Sequence, residues 1–468
     1  MKKSLLFLCF FSLIFSGARA QVFQVDTIRY NGDISKYINI VLMGDGFTAA
    51  QQSDFIAAAT NTTDYLLSQE PMARYAGYFN VFAIKVNSIE SGVTHPQNLT
   101  ECAPPATMPV FNVNTHLGCT FDSYGIHRLV VPMNFTNSVD VLASNFPSYD
   151  QVIVLSNTAY YGGSGGGFST STLHPESNEI VAHEFGHSFG GLADEYYAGD
   201  QYSAEKPNMT QQTNPALVKW KNWLGHNGTG IFQYCCSGNS ADWYKPHDNC
   251  KMELLGAPFC SVCQQTIVES IHALTDPIVS YSPQVSTIQS SDQFLAFSLD
   301  KLMKPAPNTL NITWQLGQNI VAHNTDSVLI EQNLLPAGLH NLTVTVVDTT
   351  ALVRVDGHSD AHLSSVTWTI NKTTTGTGIT SAANRFAVSV FPNPTAGSLS
   401  FTLELEKEST VSAELMSADG KVIMPLKKRA RASGTVAQTT RIDHLPSGSY
   451  VVVFKVDGLP YSRSFIKQ

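Results

Sequence analysis

The stretch HEFGHSFGGLADEY, His183 to Tyr196, decides how the chain is read. Pro175 upstream suits the first turn of a helix, and Gly190-Gly191 suit its end. His183 and His187 lie four residues apart, so on a helix they share one face and both imidazoles reach a single tetrahedral ion. Glu184 projects beside that ion rather than onto it. There it is placed to take a proton from a metal-bound water and return it to a leaving amine. A bound zinc ion lowers the pKa of water from 15.7 to roughly 7, which makes the nucleophile available at neutral pH. A helix with two surface histidines would carry the same short pattern. The glycine ending, the acidic pair that follows and an export signal argue for the metal.

The third ligand is a geometric question. Were the helix to continue, Asp194 would lie about 10 Å further along the axis than His187, too far for one ion. The chain must therefore break at Gly190-Gly191 and fold back. Asp194 is the expected ligand and Glu195 the alternative; the one left out should fix a histidine or the turn. Met252 is either a thioether floor beneath the metal or a buried space-filler. Tyr196 or Tyr197 could donate to a tetrahedral oxyanion, although tyrosines pack in cores more often. His226 and His247 read as surface residues, and Asp45 as structural.

The start of the chain reads as a secretory leader. Lys2 and Lys3 precede the apolar run Leu5 to Phe15, and Ala18-Arg19-Ala20 is a small-residue cleavage site. No later segment is apolar for long enough to span a membrane. The formal charge is −9 with 14% charged residues, and no basic stripe suggests a nucleic-acid partner. The one basic run, Lys427 to Arg431, reads as a solvated hairpin loop. Export permits disulfides. Of eight cysteines Cys9 lies in the leader, which leaves an odd number. Cys102 and Cys119 flank a Pro-rich loop and are expected to pair. Cys235, Cys236, Cys250, Cys260 and Cys263 allow two bridges with one thiol over, or a second zinc on Cys260-x-x-Cys263 and other members of the cluster.

At 468 residues the chain exceeds a single hydrophobic core. After a leader at 1–20, residues 21–275 alternate strand-like and helix-like segments. Tyr37 to Met43, Val81 to Val86 and Gln151 to Leu155 read as buried strands. Thr48 and Gln51 have capping-box spacing ahead of a helix from about Ala49 to Leu67. Tyr160 to Gly167 (YYGGSGGG) reads as irregular, a flexible rim or a place of close ligand approach. Residues 276–372 show short alternating strands of a β-sandwich, 373–385 are linker-like, and 386–468 form a second all-β unit with an Asp419-Gly420 hairpin turn.

Several blocks in order resemble the igalysin family, the IgA-peptidase-like zinc metallopeptidases. They are VLMGDGFT (Val41 to Thr48), FNVFAIKVNSIESG (Phe79 to Gly92), YDQVIVLSNTAYYGGSG (Tyr149 to Gly165), the His183 to Tyr196 stretch, and CKMELLGAPFCSVC (Cys250 to Cys263). The resemblance implies a metzincin-like α/β (α+β) catalytic domain with a methionine turn beneath the zinc, a role that falls on Met252. The sequence departs from the common spacing: the third ligand three residues after the glycine of HExxHxxG would be Ala193, and counting from Gly191 instead gives Asp194. The C-terminal unit resembles the sorting domain of the type IX secretion system through VFPNPTAG (Val390 to Gly397), LPSGSY (Leu445 to Tyr450) and the closing strand to Gln468. That implies a Bacteroidetes-type host, passage through periplasm and outer membrane, and release or attachment at the surface. The middle sandwich resembles immunoglobulin-like appendages in general pattern only.

The expectation is thus a multidomain, exported and monomeric zinc endopeptidase: His183, His187 and Asp194 on Zn2+, Glu184 as base and acid, and extracellular proteins as substrates. A surface adhesin on a peptidase scaffold is the rival, and the intact Glu184 speaks against it.

Overall fold

The structure is a computed structural model describing residues 22–96, 108–110, 112–235, 237–290, 292–372, 388–417, 421–457 and 459–468. The expected leader, the linker-like segment, Cys102, Cys236 and the Asp419-Gly420 turn lie outside the described residues. Two compact units are formed, Met1–Thr373 and Thr374–Gln468.

The first unit is built on a six-stranded sheet in the order Val25–Arg29, Phe79–Ile84, Ile38–Asp45, Gln151–Ser156, Ser169–Ser171, Gly163–Ser164. Its centre is parallel, as expected for strands apolar on both faces, and Ile38–Asp45 is buried at every position. Alternate residues of that strand serve different cores. Ile40 and Leu42 meet helices α1 (Gln52–Leu66), α3 (Ser177–Ser188) and α4 (Ser261–Leu274). Val41 and Met43 meet α2 (Phe135–Asn145) on the opposite face. Helix α1 follows a single 3-10 turn, Ala49–Gln51, where Thr48 N donates to Gln51 Oε1 at 3.1 Å. Asp45 closes the end of its strand as a structural acceptor, taking bonds of 2.8 Å from Leu117 N, Cys119 N and Thr115 Oγ1.

The glycine-rich rim departs from expectation. Gly163–Ser164 is a short strand, antiparallel to Ser169–Ser171, and Gly163 also exchanges bonds with Arg128 O and Val130 N on its outer side. Without a side chain at Gly162 or Gly163 the backbone lies close enough to both neighbours to pair.

A three-stranded and a five-stranded sheet enclose one further core, with Trp314 and Trp368 stacked 5.9 Å apart. Among the described residues this region has no helix beyond the four-residue His358–Ala361 and a single 3-10 turn, Gln332–Leu334. The sandwich is tied to α4 and to the segment after α1 within the same unit. Asp348 accepts from Tyr75 Oη at 2.7 Å and lies 3.1 Å from His272 Nε2, while Tyr78 Oη donates to Met303 O at 2.7 Å. Met303 and Val279 belong to the same core as α1 and α3.

The second unit is all β. Leu399, Phe401, Leu403 and Leu405 alternate inward along Ser398–Ser417, which pairs antiparallel with both Val422–Arg441 and Gly448–Val456. The basic run Lys427 to Arg431 is part of the strand Val422–Arg441, not the loop its composition suggests. Pairing with the long strand beside it outweighs local charge there.

Candidate active site

Helix α3 turns two faces to different work. Val181, Phe185 and Phe189 pack into the core, with Phe185 stacked on Phe189 at 4.7 Å and edge-on to Phe79. That anchorage points His183, Glu184 and His187 into a cleft of about 690 Å³. The helix ends at Ser188; in the turn after it Gly191, whose φ of +63° places it in the left-handed region, closes its N on His187 O at 3.0 Å. The chain then reverses, and Asp194 arrives beside the two imidazoles.

The three side chains meet at short range. The two Nε2 atoms are 3.1 Å apart, and each lies 3.1 Å from Asp194 Oδ1. Their second nitrogens are occupied. His183 Nδ1 is 2.8 Å from Lys251 O, and His187 Nδ1 is 2.8 Å from Leu192 O. A carbonyl only accepts, so each Nδ1 carries the hydrogen and each Nε2 faces inward as the atom that takes up a metal or a proton. Two such nitrogens and a carboxylate facing one point call for a positive charge. Burial would raise the Asp194 carboxyl, but its bonds from His183 and His187 hold it well below the usual range. Burial would lower His187, yet Asp194 and Glu184 push it up to about 9. The trio competes strongly for a cation.

Glu184 stands next to this cluster. Burial raises its carboxyl above the ordinary value, with His183 and His187 partly offsetting the rise. A Cβ on Gly165 would come within 2.3 Å of Glu184 Oε2, so the rim backbone approaches the carboxylate because position 165 has no side chain. Tyr196 lines the cleft with its ring 6.2 Å from that of His183, and burial together with Asp194 and Glu184 raises its phenol. Tyr197 lies further out, 3.5 Å from Asp200 Oδ1.

Glu195 takes no part in this cluster. It is fully buried on the other side of the turn, where Oε1 accepts from Asn208 Nδ2 at 2.9 Å and Cys263 Sγ approaches at 3.2 Å. Its backbone N donates to Met252 O at 2.7 Å, so it holds the turn but touches neither histidine. Met252 is buried beneath α3, its Sδ so close that a Cβ on Gly186 would meet it at 2.6 Å. Arg128 and Tyr161 also border the cleft. Arg128 carries no signal in the sequence, because a segment without periodicity brings it there; Tyr161 was visible only as part of the glycine-rich rim. Three further groups of acidic, imidazole or thiol side chains converge among the described residues: His95, Asp122 and His127; Glu269, His358 and His362; and Glu195 with Cys250, Cys260 and Cys263.

Comparison with known proteins addresses family. No curated protein matches the chain. Among solved structures, fibronectin(III)-like modules of Clostridium thermocellum CbhA align over 40% of this chain and 94% of theirs, at 15% identity and a TM-score of 0.15. A glycosyl hydrolase family 2 member from Bacteroides cellulosilyticus aligns over 39% of this chain and 24% of its own, at 11% identity and a TM-score of 0.15. Such overlaps carry no argument. Family models are more telling: residues 27–234 match IgA Peptidase M64 and residues 389–468 match a secretion system C-terminal sorting domain. Both agree with the resemblances in the sequence. The region around the cleft is therefore that of an M64-family peptidase, followed by an all-β region ending in a type IX sorting domain that directs export across the outer membrane, to the cell surface or beyond.

Proposed function

We propose that the protein is a zinc-dependent endopeptidase acting on extracellular proteins, with His183, His187 and Asp194 as metal ligands and Glu184 as general base and acid. The observation that carries this reading is the convergence of two inward Nε2 atoms and a carboxylate within 3.1 Å of one another. A four-coordinate zinc with N and O ligands at about 2.0–2.2 Å separates them by about 3.3–3.5 Å, so the trio fits with little adjustment. The donor set and the backbone carbonyls behind both histidines suit zinc as well. Met252 beneath α3 supports a metzincin-like arrangement. When bound, the metal supplies a Lewis acid and a more acidic water.

The remaining work belongs to the chain. Glu184, raised by burial above its ordinary value and placed beside the histidines, is suited to accept a proton and hand it to the departing amine. Tyr196, kept protonated, offers an O–H to the oxygen that gains charge as the carbonyl carbon becomes tetrahedral. An extended peptide would lie along Gly165 and Gly166, because the outer edge at Gly163 is already paired.

The test uses the exported protein with Glu184→Gln beside the wild type, metal content and peptide-library cleavage being measured on the same samples. The expected result is bound zinc in both, with chelator-sensitive cleavage by the wild type and a fall of about 10²–10⁴-fold in the variant. Cleavage that survives Glu184→Gln would remove Glu184 from the mechanism. Tight binding of glycoproteins without turnover by the metal-loaded wild type would favour the adhesin.

A further inference from the structure

The geometry points to a second metal site, a buried structural one in which Cys250, Cys260, Cys263 and Glu195 hold a zinc-like ion directly behind the catalytic turn. The inference is independent of the proposed catalytic role. The four ligand atoms lie within 4.8 Å of one another, and all four residues are buried, Glu195 completely. Cys250 Sγ and Cys263 Sγ are 3.6 Å apart; zinc with thiolates at about 2.3 Å holds sulfurs about 3.8 Å apart. Cys260 N donates to Cys250 Sγ at 3.3 Å, a bond that favours a thiolate there. Cys260 and Cys263 sit at the start of α4, where the helix N-terminus favours negative sulfur.

The decisive observation is Glu195. Its Oε1 is bonded, but its Oε2 is fully enclosed and has no hydrogen-bond partner among the described residues. A buried carboxylate oxygen left unpaired is costly. A disulfide between any two of the cysteines would leave the third thiol and this oxygen without function. One ion accounts for all four groups. Three sulfurs and one oxygen select a soft or borderline divalent metal and disfavour calcium or magnesium. Lys245 Nζ donates to Glu195 O at 3.1 Å and to Glu253 Oε2 at 2.5 Å, which ties the backbone of Glu195 in place.

The site would clamp the catalytic turn from behind. Glu195 follows Asp194 in the chain. The segment after Cys250 supplies Lys251 O to His183 and Met252 O to Glu195 N.

The test is metal analysis of the exported protein, of a His183→Ala/His187→Ala variant, and of Cys263→Ser. The expected contents are about two ions per chain, about one, and at most one. Cobalt exchanged into the histidine variant should show the near-ultraviolet thiolate-to-cobalt charge-transfer band, and the band should be lost with Cys263→Ser. Unreduced wild type is also alkylated in denaturant with chelator and peptide-mapped, which needs no variant and decides the matter if Cys263→Ser does not fold. Alkylation of all three cysteines beside a retained metal in the histidine variant supports the site. A disulfide among the three, or a folded histidine variant without metal, overturns it. Metal in the histidine variant but none lost from the wild type would instead sink the catalytic reading alone.

Discussion

Single atoms decide how much of the cleft survives substitution. Gly165→Ala sets a methyl 2.3 Å from Glu184 Oε2, and the flexible carboxylate relieves the clash only by swinging away from its place beside the histidines. The expected outcome is a ten- to hundred-fold loss in kcat with an almost unchanged melting temperature, read from steady-state kinetics and thermal unfolding. Asp194→Ala removes the carboxylate facing the two Nε2 atoms, and activity should be lost together with about one ion per chain. The residues of this cluster were legible to different degrees. His183 and His187 follow from helical spacing taken with the glycine ending, the acidic pair and the export signal. That one of Asp194 and Glu195 returns to the histidines follows from the impossibility of extending the helix; which of the two does not, because it depends on which way an extended segment leaves the turn. The fourfold group around Glu195 was visible only as cysteine spacing; its carboxylate belongs to it through tertiary packing.

At the scale of elements, the end of α3 is the joint on which the cleft depends. Gly191→Ala forces a side chain into a φ of +63° and should cost about 1 kcal/mol, with metal affinity falling more than stability. Calorimetry and metal titration of the same variant separate the two effects. The docking of the sandwich onto α4 has its own signature. Burial would lower His358, but Glu269 raises it; burial would raise Glu269, but His358 lowers it. The raised imidazole contributes stability fully below its ordinary 6.5 and loses it as pH climbs through the folded value. The lowered carboxylate contributes above its ordinary 4.5 and loses it as pH falls. Glu269→Gln should therefore lower the melting temperature most between those two values and progressively less at alkaline pH. Buried strands such as Ile38–Asp45 and the start of α1 were legible because apolar runs and caps are local signals. The Gly163–Ser164 strand was not, because two flanking segments hold it rather than its own sequence.

Over the whole molecule, the two compact units keep separate cores, and the residues of the second core all lie after Thr374. A chain ending at Thr373 should fold and melt as the first unit does in the full protein, yet fail to reach the cell exterior because the sorting domain is gone. Fractionation and calorimetry of that truncation check both halves of the statement. The order of α/β, sandwich and second all-β regions was readable from changes in pattern along the chain, and the sorting identity of the last from the resemblance carried by Val390 to Gly397 and Leu445 to Tyr450. The tie of the sandwich to α4 and the segment after α1 through Asp348, Tyr75 and His272 was not, since no local signal pairs residues so distant.

Asp194 and Glu195 are neighbours facing opposite sides of one turn, the first toward two histidines, the second toward Asn208 and Cys263. The spacing after Gly191 is thus read twice, and this limits the paths open to mutation in a lineage. Loss or gain of one residue in that stretch would not merely exchange one carboxylate for another at the cleft; it would misplace both at once. Such a length change could survive only with a simultaneous repair on each side, so the turn should drift in composition far more readily than in length.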